Sequence, residues 1–139
     1  MEDRKAVEAA NRTFYRALEI CNIEAMDEVW LHDENAKCVH PGWEMIKGWK
    51  KIRESWSIIF RNTHGMQVQI EDVSTNIGDE VAWVTCVENV TTFFERGLAS
   101  TPVQATNIFL KRDGKWLMVH HHASPIPVNL PRQFTHTIQ

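Results

Sequence analysis

The chain has 139 residues, with 15 Lys and Arg against 18 Asp and Glu and a formal net charge of −3. That length suits one domain, and an apolar share of 43% with six tryptophans supplies a core. The slightly acidic, well-mixed charge lacks the footprint of a nucleic-acid binder, and no apolar run has the length to span a bilayer.

The charged start Met1-Glu2-Asp3-Arg4-Lys5 leads into an amphipathic helix and does not read as a secretory signal, so a cytoplasmic protein is expected. Cys21, Cys38 and Cys86 are odd in number, far apart and set in apolar contexts. They read as buried free thiols, not as disulfides or zinc ligands.

Val7, Ala10, Phe14, Ala17 and Cys21 recur at helical spacing and predict a first helix over 3–20. Asn22 ends it and caps a short second helix carrying Ile23, Met26, Val29 and Trp30. A short strand is expected over 36–40, followed by a Pro41-Gly42 turn and a second short strand over 43–46. Trp49, Ile52, Trp56, Ile59 and Phe60 form one wide apolar stripe and predict a third helix over 49–60. From Met66 the pattern turns to strands, with a turn at 76–79 and a long Val-, Thr- and Trp-rich strand over 80–92. Residues 93–100 read as a turn, 101–111 as the next strand, and Asp113-Gly114 as a tight hairpin into the last strand. Pro125 stops that strand.

Helices first and strands after predict an α+β domain over 1–126. It takes the form of a cone, with three N-terminal helices packed on a strongly curved, mostly antiparallel sheet. An extended tail is expected over 127–139, since Pro127 and Pro131 bar a central strand. Three helices cover only one face of so long a sheet. The other face asks for a partner, and a homodimer is the simplest one.

The span from the first helix to Ser124-Pro125 resembles the SnoaL-like branch of the nuclear-transport-factor-2-like, or ketosteroid-isomerase-like, cone fold. The stretches that carry the resemblance are Phe14-Tyr15-Arg16-Ala17-Leu18, Val39-His40-Pro41-Gly42, Gly48-Trp49 with Ser55-Trp56, Val81-Ala82-Trp83-Val84-Thr85, Thr106-Asn107-Ile108-Phe109 and Gly114-Lys115-Trp116 through His122-Ala123-Ser124-Pro125. The last strand also resembles the association domain of calcium/calmodulin-dependent kinase II. The resemblance implies a cone with a cavity. It does not choose an activity, because the superfamily holds isomerases, cyclases, dehydratases, epoxide hydrolases and assembly modules. The Asp base and Tyr/Asp oxyanion hole of ketosteroid isomerases have no match here, since the early pocket strand carries His40 and the single tyrosine, Tyr15, lies in the first helix. The proton relay of the epoxide hydrolases has no counterpart either.

Strict alternation along the last strand places Trp116, Met118, His120, His122 and Ser124 on one face, and Leu117, Val119, His121 and Ala123 on the other. The first face shifts from apolar to imidazole and hydroxyl, as a pocket wall does. His120 and His122 are thus the leading acid–base candidates, with His40 at a strand end and Glu88 among Ala82, Val84, Cys86 and Val90. Each has a bland alternative: hydrogen bonds to neighbouring strands for the histidines, a helix cap for His40, an ion pair for Glu88. A metal held by His120, His122, His40 and Glu88 is a weaker idea without a recognised ligand pattern, and no metal or cofactor is expected. Trp43, Trp56 and Trp83 are candidates to contact a ligand, and Asn107 or Ser124 to hold a developing oxyanion.

The sequence therefore points to a protein that binds a small apolar or aromatic molecule, or a cofactor-free isomerase, cyclase or lyase. The alternative is a non-catalytic association module that uses the outer sheet face. Neither a nucleic-acid nor a membrane partner is expected.

Overall fold

The computed structural model describes residues 2–127, so nearly all of the expected tail over 127–139 lies outside the described residues. Three helices come first: α1 (Glu2–Glu19), α2 (Ile23–Val29) and α3 (Trp49–Arg61). The strands are β1 (Lys37–Val39), β2 (Ile46–Lys47), β3 (Gly65–Ile77), β4 (Val81–Phe94), β5 (Gly97–Arg112) and β6 (Lys115–Pro125). They form one six-stranded sheet in the order β2-β1-β6-β5-β4-β3. All neighbours are antiparallel except β1 and β6, which run parallel. This is the α+β cone.

Each helix buries one stripe. α1 turns Val7, Asn11, Phe14, Tyr15 and Leu18 inward. Asn22 caps α2 by accepting from the Ala25 N–H at 2.9 Å. Arg53 on α3 grips Asp27 on α2 through both carboxylate oxygens, at 2.6 and 3.0 Å. Phe14 sits at the heart of the core, with Tyr15, Trp56 and His121 ring centroids at 4.8, 5.8 and 4.8 Å. The far end of α1 is tied down by Asp3, which accepts from Trp116 Nε1 and Lys111 Nζ, both at 3.1 Å.

The sheet departs from the sequence reading in three places. First, residues 93–100 are not a loop: β4 runs to Phe94, β5 resumes at Gly97, and only Glu95-Arg96 turns. Pairing of Phe93 with Leu98 and Thr92 with Ala99 overrides the weak strand preference of Gly97, Ala99 and Ser100. Second, the strand expected over 43–46 reduces to Ile46–Lys47, because the chain turns after β1 with Trp43 N–H donating to the His40 carbonyl at 2.9 Å. Third, β6 carries a bulge. Ile108 pairs with His120 but Phe109 pairs with Met118, so Val119 is the extra residue. The Asp113-Gly114 hairpin has positive φ at both positions, 51° and 78°, the geometry of a two-residue type I′ turn. Among the described residues no helix is long and apolar enough to cross a membrane. Cys38 and Cys86 are buried free thiols, while Cys21 is only half-buried.

Candidate functional site

Between α3, the turn after β1 and the concave face of β4, β5 and β6 lies a cavity of about 630 Å³. Trp43, Trp56, Ile59, Met66, Val90 and Val103 give it an apolar wall. His40, Glu88 and His121 bring polarity to that wall, and all three are buried.

The polar groups are held by hydrogen bonds that run in one consistent direction. Ser55 Oγ donates to the Ile52 carbonyl at 2.6 Å, so its proton is spent. It then accepts from His40 Nε2–H at 2.8 Å, which leaves Nδ1 as the lone-pair nitrogen of His40. Asn107 is fully buried and uses every part of its amide. Its Nδ2 donates to Asn11 Oδ1 at 2.9 Å and to Tyr15 Oη at 3.0 Å. Its Oδ1 accepts from His121 Nδ1–H at 2.6 Å, which leaves Nε2 of His121 bare. Tyr15 in turn donates to Glu88 Oε2 at 2.5 Å. One amide on β5 thereby orients an imidazole on β6 and, through a phenol on α1, a carboxyl on β4.

Burial governs the charges. It pushes the Glu88 carboxyl up to about 7, against the opposing pull of the Tyr15 hydroxyl. It pushes His40 down to about 4, and His121 well below the usual imidazole range, with His40, His120 and His122 adding to the effect on His121. Tyr15 is driven far above its ordinary value, first by burial and then by Glu88, so it stays a donor. Near neutral pH the site holds two uncharged imidazoles and one carboxyl poised between its two forms.

The structure brings together His40, Glu88, Trp43 and Trp56 of the residues singled out in the sequence. It separates the others. His120 and His122 do not face the cavity: His122 is exposed, His120 is half-buried, and they lie on the convex face with their rings 6.1 Å apart. The extra residue Val119 is the cause. Trp116 and Met118 point inward, the bulge shifts the phase by one, and His121 and Ala123 then point inward. Trp83 and Ser124 are both exposed and neither is among the residues that line the cavity. Asn107 sits behind the wall with both amide protons committed, so it has none to offer a ligand oxyanion. The four-residue metal constellation is split between the two faces of the sheet, and among the described residues no group of three His, Cys, Asp or Glu is arranged to hold a metal ion.

Sequence reasoning missed Asn11, Tyr15 and Ser55 as parts of the site and set His121 on the wrong side. A signal existed for the first three. Asn11 and Tyr15 follow Val7 at intervals of four on the stripe that α1 buries, and Ser55 lies three after Ile52 on that of α3. A polar residue on a buried stripe has a partner to find.

Solved structures with this architecture support its assignment. One from Streptomyces avermitilis, assigned as a dehydratase of the NTF2-like family, is 32% identical over 91% of this chain and 98% of that one, with a TM-score of 0.85. One from Thiobacillus denitrificans, assigned as a calcium/calmodulin-dependent protein kinase type II association domain, is 28% identical over 86% of this chain and 94% of that one, with a TM-score of 0.77. The F-box protein SKIP8 of Arabidopsis thaliana is 30% identical over 120 residues, covering 86% of this chain and 49% of its own length, so the chain spans about half of that relative. The profile of the SnoaL-like domain matches residues 7–129 from α1 through β6, and with the cone around a buried His–Asn–Tyr–Glu network the chain belongs to the SnoaL-like domain family.

Proposed function

We propose that the cavity binds a small, partly apolar molecule and moves a proton on it without a cofactor, in elimination or isomerisation chemistry. The observation that carries this reading is Glu88: a carboxyl buried on the cavity wall, oriented by Tyr15, and poised to change charge near pH 7. In an elimination, Glu88 takes the proton from the carbon next to a carbonyl. The bond to a hydroxyl on the following carbon breaks, a carbon–carbon double bond forms, and Glu88 returns the proton to the departing hydroxide. Water leaves and the carboxylate is restored. His40 and His121, both neutral, accept hydrogen bonds from the substrate's hydroxyls and hold it over Glu88. The resemblance to a protein assigned as a dehydratase supports this direction.

Hydroxylated cyclic ketones incubated with the protein in heavy water test it. Proton NMR should show deuterium entering next to the carbonyl, and loss of water where the next carbon bears a hydroxyl. Glu88→Gln should slow both by roughly a hundredfold or more. Equal rates with and without the carboxylate would remove the reading.

A second reading stands on the convex face, where Val81 and Trp83 are exposed large hydrophobics beside Leu110 and Ile108 of the next strand. We propose that this face pairs two copies of the chain. The similarity to proteins assigned as association domains supports that pairing. The two readings use opposite faces of the sheet and are compatible.

A further inference from the structure

The polar floor of the cavity is one-sided in its hydrogen bonding. His121 spends Nδ1–H on Asn107, and its Nε2 has no protein partner among the described residues. His40 spends Nε2–H on Ser55, and the Cys38 sulfur lies 3.9 Å from both ring nitrogens, too far and too evenly placed to claim the Nδ1 lone pair. Glu88 Oε2 is taken by Tyr15, while Oε1 has no protein donor among the described residues. Three groups with unspent acceptor atoms therefore line one volume.

Among the described residues nothing cationic balances them. Neither Lys nor Arg is among the lining residues, and Glu88 is the one carboxyl. The side chains there able to donate, Trp43, Asn62, Thr63, Thr92 and Thr101, are half-buried or exposed and belong to the rim. Thr63 already donates to the Gly65 and Phe93 carbonyls at 3.0 and 3.2 Å. The indole N–H of Trp56 is sealed from solvent without a partner. A negatively charged ligand would thus be stripped of water beside a carboxylate with no counter-charge, at a cost that grows as the dielectric falls. A ligand rich in donors meets the opposite situation, and the Trp43 and Trp56 faces suit either an uncharged ring or a cation.

We infer that the cavity selects a ring-bearing ligand that donates hydrogen bonds and carries no negative charge, an alcohol or phenol or else a protonated amine, and rejects carboxylates and phosphates. The inference rests on the reading of the cavity as a small-molecule site and adds the class of molecule it takes. The groups that face Glu88 are Tyr15 from α1, Cys38 and His40 from β1 and its turn, Cys86 on its own strand, and His121 from β6. All stay uncharged between pH 6 and pH 8, so Glu88 is the group that changes charge in that range.

Isothermal titration of the full chain with three matched probes tests it: 1-naphthylmethylammonium, 1-naphthylmethanol and 1-naphthoate. At pH 8 the ammonium and the alcohol should each bind at least about tenfold more tightly than the carboxylate. From pH 6 to pH 8 the ammonium should tighten by up to about tenfold as Glu88 ionises, while the alcohol changes little. Glu88→Gln should abolish that pH dependence. The tighter of the two favoured probes assigns the donor as ammonium or hydroxyl. Should the Gln variant fail to fold, the pH series on the unaltered protein decides alone. If naphthoate binds as tightly as the others at pH 8, the inference falls and the small-molecule reading stands. If none of the three binds at millimolar concentration, both fall.

Discussion

Glu88 is a residue whose environment opposes the charge it would carry in water. Its carboxyl sits near 7 in the fold, above the ordinary carboxyl value of 4.5 to which unfolding returns it. The folded state therefore binds the proton more tightly than the unfolded chain between those two values, and Glu88 costs stability as pH rises through that window. Above pH 7 the penalty is fully present, on the order of 3 kcal/mol for a shift of this size. His40 and His121 act with the opposite sign: their folded values lie below 6.5, so protonation favours unfolding as pH falls from there. The two effects partly cancel in the total stability, and a comparison of variants isolates the first. Glu88→Gln keeps an acceptor for the Tyr15 hydroxyl and removes the ionisation. It should raise the melting temperature by several degrees at pH 8 and by little at pH 5, as read by calorimetry across that range. An equal effect at both pH values would show that Glu88 ionises freely in the fold. The placement of Glu88 was legible in the sequence, because β4 alternates without interruption from Ala82 to Glu88 and every second residue is buried. A lone carboxyl on the apolar face of such a strand announces its own desolvation.

At the scale of the element, alternation is a rule with a phase, and a bulge resets the phase. β6 has the sequence of an uninterrupted strand, yet Val119 is accommodated as an extra residue and turns the imidazoles over, with His121 in and its two neighbours out. Nothing in His120-His121-His122 marks the break, since a β-branched valine is an ordinary strand residue. The information lies in the pairing with β5, where Ile108 and Phe109 meet partners two residues apart, and a single strand does not contain it. The helices were readable because a 3.6-residue stripe is a local property. So was the hairpin at Asp113-Gly114, because its φ values demand those residue types. The second bulge, in β3 between Glu71 and Ser74, illustrates the same dependence on backbone geometry. Asp72 there has φ of 51°, a left-handed conformation that aspartate tolerates and β-branched residues resist. Asp72→Gly should leave the melting midpoint in denaturant unchanged or slightly higher. Asp72→Val should lower stability by about 1–2 kcal/mol at this exposed site. A valine variant as stable as the parent would mean that the bulge reforms elsewhere along β3.

At the scale of the whole molecule, the sheet divides the chain into two chemistries. The concave side is closed by helices and holds the cavity. The convex side carries rows of paired residues with no helix over them among the described residues: Val81, Leu110 and Leu117 in one row, and Trp83, Ile108, His120 and Lys37 in the next. His120 and His122, displaced from the cavity by the bulge, belong to this surface, so the cluster that drew attention in the sequence lies on the face proposed for pairing and not in the pocket. An indole at 45% exposure beside Ile108 is costly to leave in water and inexpensive to cover. If the convex face pairs two copies, Trp83 contributes at the centre of a row that repeats on its partner. Trp83→Glu places a charge there. The purified protein should scatter light as a dimer, and the variant as a monomer over the same concentration range. Because Trp83 points away from the cavity, the variant should keep its affinity for cavity probes within about threefold, or under 1 kcal/mol. Loss of both assembly and ligand binding would mean that the cavity depends on the dimer, and an unchanged dimer would move the interface off this face altogether.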